Sequence, residues 1–404
     1  MKKSIHVPFL LINIVVFFSL LYFPLFSNQL ASKTFALFVL VAGLWMTEAI
    51  PLTLTSITIP VVASLLKLVK PQEAFTQFSH PIIFLFLGGF ILAGALTRHS
   101  IDKMLARKLI EISKGNFYRS SILMMLSTAL LAFWISNTSS TVMMLPLALG
   151  MLSLVKKDSI NQEAKFLMLG IAYSANLGGI VTMVSSPPNA IGAALLGITF
   201  FEWLKHGLPM FLITFPIMVG ILTWYFKPDK KLKVEQVIEV GHPGRLNKSL
   251  IAIFLLTITL WLLEGIISPL LGIGDGFNSL VAVMAIFLVV ITNVLRWDEA
   301  IKCVQWNVLL LFGGGLTLAM LLEKSGLGTL LADQITILST AMPLIALIWV
   351  IVLTSIIFTE FMSNTASAAL FLPIIYTLAV KLQVNQHYWY YLLRLQCRMA
   401  LCFL

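Results

Sequence analysis

Long apolar segments separated by short polar ones dominate this chain. A helix needs about 20 mostly apolar residues to cross a bilayer. On that basis we predict spans near 8–27, 34–50, 51–66, 80–97, 165–200 (broken), 205–226, 249–268, 277–295 and 305–322. Two further apolar segments, 120–155 and 345–381, are predicted to be re-entrant hairpins, because each has polar residues at its centre. The predicted fold is therefore an all-α polytopic membrane protein.

The polar centres of the two hairpins have the same sequence. Ser136-Asn137-Thr138, here called the first tip, recurs as Ser363-Asn364-Thr365, the second tip, at an offset of 227 in the numbering. Polar residues at membrane depth persist only where protein or a water-filled cavity satisfies them. One such tripeptide would fit ordinary helix packing, but two in equivalent positions favour a binding site for a small polar ligand near the membrane centre.

The duplication extends beyond the tips. Glu73-Ala74 matches Glu299-Ala300 at an offset of 226, and Gly88-Gly89 matches Gly314-Gly315 at the same offset. The offsets of 226 and 227 are together called the repeat offset below. Leu44-Trp45 resembles Leu260-Trp261 at an offset of 216. We therefore predict a first helix plus first repeat over 1–226, a linker over 227–248, and a second repeat over 249–404.

The loop charges predict that the two repeats are inverted. The segment 98–119 carries six Lys and Arg residues, whereas its counterpart, 325–346, carries none. With the N-terminus in the cytoplasm, 19 basic residues lie inside and 6 outside, which satisfies the positive-inside rule. The first hairpin is then expected to open to the cytoplasm and the second to the outside, the arrangement of inverted-repeat transporters. The basic segment 98–119 is expected to lie at the membrane surface.

Composition excludes several classes of protein. The chain has 404 residues, 59% hydrophobic and 11% charged, against about 25% charged in soluble domains. The net charge of +10 lies mainly in loops, so it does not indicate nucleic-acid binding. The three cysteines have no metal or redox spacing, and no catalytic constellation occurs, so neither an enzyme nor an organic cofactor is predicted. We expect an integral membrane protein in contact with lipid, with a bacterial inner membrane as the simplest setting.

A proline pair breaks the segment that follows the first hairpin. Ser185-Ser186-Pro187-Pro188-Asn189 comes shortly after Gly178-Gly179. Prolines remove backbone donors and interrupt helices, so a second half-helix is expected to begin near Asn189. Its free N–H groups would attract an anion, and the freed carbonyls would suit a hard cation such as Na⁺.

The second repeat predicts a second copy of this loop at positions 413–416, after Leu404. The tail also has Arg394 and Arg398 where the first repeat has Leu167 and Ile171. We therefore expect a shortened or frameshifted product, with a natural short variant as the alternative. A non-transporting product is therefore one of the functional alternatives.

These motifs together resemble the divalent anion–sodium symporter family, which carries dicarboxylates and citrate. The resemblance covers nearly the whole chain. It implies a homodimer in which each protomer has a scaffold and a transport domain that moves as an elevator. Ser185 stands where relatives often have glycine, and Ala132 where some have serine.

The resemblance also implies which residues bind the cargo. It places the substrate carboxylates at the two tips and the broken-helix loop, formed by Ser136, Asn137, Thr138, Ser186, Pro187, Pro188, Asn189, Ser363, Asn364 and Thr365. It places sodium near Ser136, Asn137, Ser185, Thr359 and Asn364. The implied function is sodium-coupled transport of succinate, malate or fumarate. A sodium-independent citrate–succinate exchanger and a sulfate carrier are the alternatives within transport.

Overall fold

The computed structural model describes residues 5–99, 101, 104, 112–153, 160–233, 247–274, 276–339 and 344–381. These residues form helices joined by turns, and they contain no strand beyond an isolated bridge between Asn116 and Lys233. The predicted all-α fold is confirmed. Outside the described residues lie part of the segment 98–119 (100, 102, 103 and 105–111), most of the linker 227–248, and the tail with Arg394 and Arg398.

The helices are numbered in chain order, with a 3₁₀ turn at Gln77–Ser79 before α5 and another at Met183–Ser185 before α9. They are α1 (Val7–Tyr22), α2 (Gln29–Thr47), α3 (Leu52–Leu65), α4 (Pro71–Thr76), α5 (Pro81–Arg98), α6 (Phe117–Ala132), α7 (Asn137–Ser153), α8 (Ile160–Gly178), α9 (Pro187–Leu196), α10 (Phe200–Phe226), α11 (Lys248–Leu262), α12 (Glu264–Leu270), α13 (Phe277–Ile291), α14 (Trp297–Cys303), α15 (Trp306–Lys324), α16 (Leu327–Ser339), α17 (Leu344–Phe361) and α18 (Asn364–Lys381).

Several of these helices suit a membrane by length and composition. Within the described residues, four stretches are long and apolar enough to cross one: Gln29–Thr47, Pro71–Arg98, Phe200–Phe226 and Trp306–Lys324. α11 and α12 make a fifth candidate if they are one span bent by 79°. Shorter apolar helices, among them α1, α3 and α13, coincide with the other predicted spans.

Predicted and observed helix boundaries differ by about five residues in several places, and the local sequence explains two of these differences. α1 ends at Tyr22 instead of 27, because Pro24 disfavours helical geometry in the residue before it. α2 begins at Gln29 instead of 34, because the Asn28 side chain accepts hydrogen bonds from the backbone N–H groups of Leu30 and Ala31. Such a cap satisfies donors that the first turn of a helix leaves unpaired.

The chain divides into two compact units that interleave along the sequence. One unit comprises Met1–Ile83, Pro187–Gly197 and Gln305–Leu404, and the other comprises Phe84–Ser186 and Ile198–Val304. Each unit thus combines helices from both predicted repeats. The compact units reflect how the helices pack, whereas the repeats were predicted from matching sequences. The units therefore do not test the predicted division at 226 and 249, which stays a prediction.

Each repeat has a buried tryptophan whose indole N–H donates a hydrogen bond to a backbone carbonyl, and each of these bonds lies within one compact unit. Trp45 Nε1 donates to the carbonyl of Leu52 at 3.3 Å, and Trp261 Nε1 donates to that of Asn278 at 3.0 Å. Leu52 and Asn278 are separated by the repeat offset, whereas the two tryptophans are closer together in the numbering. The second repeat therefore has a longer connection between donor and acceptor, and this connection contains α12.

The helices that carry the glycine pairs, α5 and α15, are here called the glycine helices. A Cβ built on Gly88 would lie 2.7 Å from Cβ of Ala282, and one on Gly314 would lie 2.6 Å from Cβ of Ser56. Both positions therefore exclude any side chain. The repeat offset separates Gly88 from Gly314, and it also separates Ser56 from Ala282. Each glycine helix thus packs against a helix of the other repeat, at equivalent positions.

Candidate functional site

The first tip lies at the turn of a helical hairpin formed by α6 and α7. Ser136 caps α7, since its Oγ accepts from the backbone N–H of Ser139 at 3.3 Å and its carbonyl accepts from that of Ser140 at 2.9 Å. Serine is among the preferred residues at this position. Asn137 is then the first residue of α7 and is half-buried, whereas Thr138 is exposed. The predicted helical hairpin is confirmed.

The second tip has the same local structure. It lies where α17 ends and α18 begins, and Ser363 Oγ accepts from the backbone N–H of Ala366 at 3.2 Å. The Ser363 carbonyl accepts from the N–H of Ser367 at 2.9 Å. Asn364 and Thr365, in the first turn of α18, are half-buried. Both predicted hairpins therefore present an asparagine at the N-terminus of their second helix.

A buried serine lies one turn beyond each tip. Ser140 and Ser367 are separated by the repeat offset, and the Oγ atoms of both are buried without a hydrogen-bond partner among the described residues. Buried hydroxyls are normally paired. The equivalence of the two hairpins therefore extends to an unpaired hydroxyl at the same helical position.

Asn137 is held against the break of the next helix. Its Nδ2 donates to Oδ1 of Asn176 at 3.2 Å, and its Oδ1 is buried with no hydrogen-bond partner in the part of the chain that is described. The side chain lies against Gly179, where a Cβ would come within 2.8 Å of Asn137 Cγ. Gly179 is thus glycine because the amide of Asn137 occupies the space that a side chain would need.

The break itself is an ordered loop between α8 and α9. The Trp203 indole Nε1 of α10 donates to the Ile180 carbonyl at 3.1 Å. Ser185 Oγ donates toward the carbonyls of Gly179 and Thr182, each at 2.7 Å. These bonds fix carbonyl oxygens that the interrupted helix would otherwise leave unpaired. Ser185 therefore positions the loop through its hydroxyl.

Sequence reasoning did not assign site roles to three residues of this region. They are Asn176, Thr182 and Trp203. Thr182 Oγ1 donates to the carbonyl of Phe133 in the turn of the first hairpin, so it ties the loop to the hairpin. The sequence offered one signal for Asn176 and Thr182, since these two polar residues lie on either side of Gly178-Gly179 in an otherwise apolar segment.

The proline pair begins α9, two residues earlier than predicted. Pro187 and Pro188 occupy the first helical positions, where proline's missing N–H costs nothing. The predicted start near Asn189 was wrong because a proline pair starts a helix as readily as it ends one. Ser186 is buried in extended geometry, Asn189 is buried, and α9 packs against α18, the helix that begins at the second tip.

The predicted site residues therefore fall into two groups, one in each compact unit. Ser136, Asn137, Thr138, Ser185 and Ser186 lie in one unit, and Pro187, Pro188, Asn189, Thr359, Ser363, Asn364 and Thr365 lie in the other.

The sequence around each tip contains no basic residue, and helix ends make the region strongly dipolar. Neither 120–155 nor 325–380 contains Lys or Arg. α7, α9 and α18 all begin at predicted site residues, and helix N-termini carry a positive partial charge. Near the second tip, Thr359 Oγ1 donates to the carbonyl of Ile356 in its own helix at 2.8 Å, and Glu360 is exposed. Among the described residues no group of three or more His, Cys, Asp or Glu could hold a metal ion.

Trp134, just before the first tip, packs within an aromatic cluster. Its ring stacks on Phe200 at 6.3 Å between centroids and meets Phe254 edge-on at 5.1 Å. Phe200 in turn contacts Trp261. The cluster supports the hairpin from one side, so the contacts of Trp134 account for it as a packing residue.

The sequence profile of the citrate transporter family matches residues 42–393. This chain belongs to the citrate transporter family. It is a membrane transporter and not an enzyme. The predicted resemblance to dicarboxylate and citrate carriers is thereby confirmed.

Named relatives match over most of the transporter. A protein of Haemophilus influenzae described as an uncharacterized transporter is 41% identical over 380 residues, which cover 92% of this chain and 82% of that protein. An uncharacterized transporter of Methanocaldococcus jannaschii is 40% identical over 342 residues, covering 83% and 77%. The sodium-dependent dicarboxylate transporter SdcS of Staphylococcus saprophyticus is 30% identical over 377 residues, covering 85% and 72%.

Proposed function

We propose that this transporter carries small dicarboxylates, such as succinate, malate or fumarate, together with sodium. The observation that carries the proposal is Asn137. Its amide stands at the start of a helix, and its Oδ1 is buried without a partner among the described residues, beside the break after α8. A buried oxygen without a partner is costly, and a bound cation would satisfy it. The name of the Staphylococcus saprophyticus relative agrees with sodium as the coupling ion.

The ligand atoms available around Asn137 fit sodium. Hard cations prefer oxygen ligands, and this region offers the Asn137 amide oxygen together with loop carbonyls whose positions are fixed by Trp203 and Ser185. All of these ligands are neutral, so a monovalent cation brings the only full charge. We place one sodium near Ser136, Asn137 and the loop at Ser185, and a second near Thr359 and Asn364.

The same geometry suits a carboxylate substrate. Asn137, Pro187 and Asn364 each begin a helix, and a helix N-terminus attracts an anion through its positive dipole end and free backbone N–H groups. Because no Lys or Arg lies near either tip in the sequence, the substrate charge is balanced by sodium. Binding of sodium first would order the tips and create the positive potential that the dicarboxylate needs. The loaded hairpins would then cross the membrane as an elevator, within a homodimer whose N-termini face the cytoplasm of a bacterial inner membrane.

Citrate is the second candidate substrate, because the matching family is described as citrate transporters. Citrate carries one more carboxylate than succinate, so the charge that sodium must balance differs between the two anions. Competition between the two anions at equal concentration separates the two assignments.

The test is uptake of labelled succinate into proteoliposomes that contain the purified chain. An inward Na⁺ gradient is compared with K⁺ in its place, and unlabelled citrate, sulfate, malate and fumarate are added as competitors. We expect accumulation that requires Na⁺ and is inhibited by malate and fumarate. Uptake that is equal in K⁺ would contradict sodium coupling, and inhibition by sulfate alone would contradict the carboxylate assignment. Absence of uptake from folded protein would favour a non-transporting role.

A further inference from the structure

We infer that Glu73, Arg98, Glu299 and Lys324 are positioning residues for transport. They form two ion pairs, here called the frame pairs, which hold the ends of the glycine helices still while the hairpins move. This role rests on the proposed transport function.

The two frame pairs lie at equivalent positions, and the repeat that supplies the basic residue in one pair supplies the acidic residue in the other. Arg98, the last residue of α5, places Nη2 3.3 Å from Oε1 of Glu299 on α14. Lys324, the last residue of α15, pairs with Glu73 on α4. The repeat offset separates the two cations from each other, and it also separates the two carboxylates. In each pair, one repeat supplies the cation and the other repeat supplies the carboxylate.

A second equivalent contact lies about one turn before each pair. Gly94 of α5 packs directly on Cys303, and Gln77 Nε2 donates to Sδ of Met320 of α15 at 3.6 Å. Gly94 and Met320 are separated by the repeat offset, as are Gln77 and Cys303. The close approach of Gly94 to Cys303 leaves little room for α5 to slide past α14.

The frame pairs occur where the chain leaves each glycine helix for a hairpin. The residues after Arg98 lead through the basic segment to the first hairpin, and those after Lys324 lead through α16 to the second. Gly326, two residues after Lys324, has φ +69°, a conformation that favours glycine and ends the helix sharply. On the predicted orientation, Arg98 lies at the cytoplasmic surface and Lys324 at the outer surface. Each membrane surface therefore has one frame pair, at the point where the chain leaves a glycine helix for a hairpin.

Glu299 is oriented for this role by a second bond. While Oε1 pairs with Arg98, Oε2 accepts from the backbone N–H of Arg296 at 3.2 Å. Arg98 and Lys324 are exposed, and their partners Glu299 and Glu73 are half-buried. Exposed pairs contribute little to folding. Neutralising one of them should therefore leave the protein folded, and its effect should appear in the rate of transport.

The test uses paired cysteines in a background without Cys303, Cys397 and Cys402. Arg98→Cys with Glu299→Cys and Glu73→Cys with Lys324→Cys are joined by a short bifunctional methanethiosulfonate, and succinate uptake is measured before cross-linking, after it, and after reduction. We expect each cross-linked frame pair to keep at least half of the uptake of its reduced form. The matched control joins α2 to the second hairpin through Phe38→Cys and Ile374→Cys, which pack on the same core cluster. This cross-link should block uptake reversibly.

Charge exchange provides the second readout. Lys324→Glu alone should lower the maximal uptake rate about fivefold with little change in the succinate concentration for half-maximal uptake, and adding Glu73→Lys should restore the rate. Loss of uptake on cross-linking either frame pair, reversed by reduction, would show that the pairs open during transport and would overturn the inference. Failure of the exchanged pair to restore the rate would also overturn it. If the uncross-linked parent shows no uptake in any salt, the proposed function fails, and this role falls with it.

Discussion

Replacing Gly179 by alanine should lower the affinity for sodium, because the new methyl group would displace the side chain of Asn137. The new Cβ would lie within 2.8 Å of Cγ and 2.9 Å of Nδ2 of Asn137. Because the collision is with the end of a side chain and not with backbone, Asn137 can rotate away, but it then loses its bond to Asn176 and its place beside the break. Overpacking of this kind costs about 1–3 kcal/mol. If that cost falls on the sodium-bound form, sodium affinity drops about 5- to 150-fold.

The neighbouring and distant glycines provide matched comparisons. A Cβ on Gly178 would meet the backbone of Ala129, 2.8 Å from its Cα, so Gly178→Ala should disturb the packing of α8 on α6 and lower folded yield. A Cβ on Gly220, within α10, meets nothing within 4 Å. Gly220→Ala should leave transport unchanged and raise stability by about 0.4–1 kcal/mol.

The assay is sodium-dependent uptake with the sodium concentration for half-maximal rate as the readout, together with thermal unfolding in Na⁺ and K⁺. We expect Gly179→Ala to need more sodium and to lose most of its sodium-dependent gain in Tm. In a background of Asn137→Ala, the same substitution should have little further effect on Tm, because the colliding amide is gone. A normal sodium requirement in Gly179→Ala, or an equal loss of Tm with and without Asn137, would refute the reasoning.

Three further predictions address other parts of the molecule. Asn364→Ala should abolish the rise in Tm on adding succinate with Na⁺ while chromatography shows the same oligomer as the parent; an undiminished rise would contradict a role at the second tip. Trp203→Phe removes the donor to the Ile180 carbonyl, which should lower stability by about 1–3 kcal/mol and weaken sodium dependence, whereas an unchanged Tm would show that this bond is dispensable. The backbone N–H of Arg296 and then Arg98 lower the pKa of Glu299 below its ordinary value, so its contribution to stability is complete above the unfolded-state pKa of about 4.3 and is lost as pH falls through the lowered folded-state pKa. Glu299→Gln should therefore have a slightly lower Tm than the parent at both pH 7 and pH 5, and the two curves should meet only at more acidic pH; a gap that closes between pH 7 and 5 would contradict this.

The elements of this fold that follow from local pattern were predictable. The repeated Ser-Asn-Thr tripeptide placed both hairpin turns, because polar residues recur at equivalent positions in the centre of two apolar segments. The break after Gly178 followed from the proline pair. The start of α9 did not, since proline at the first helical position and proline at a break look alike in sequence.

The contacts that define the candidate site were not predictable from one sequence. Nothing in the sequence indicates that Gly179 lies against Asn137, because Asn137 is in the preceding hairpin, far away along the chain. Trp203 lies between the predicted spans 165–200 and 205–226, and nothing local indicates that its indole reaches the Ile180 carbonyl. The ion pair between Arg98 and Glu299 crosses between repeats, so only the three-dimensional structure shows that Glu73 and Glu299, a match noticed in the sequence, share a role.

The two tryptophan bonds have a practical consequence for altering the chain. Trp45 and Trp261 each reach the first turn of a following helix, although the second repeat spans that gap with a longer connection that includes α12. The gap between Trp261 and Asn278 is thus a connection whose length can change while the bond that closes it is preserved. A reporter peptide or fluorescent protein inserted near Gly272, which has open space around it, should be accepted without disturbing either hairpin.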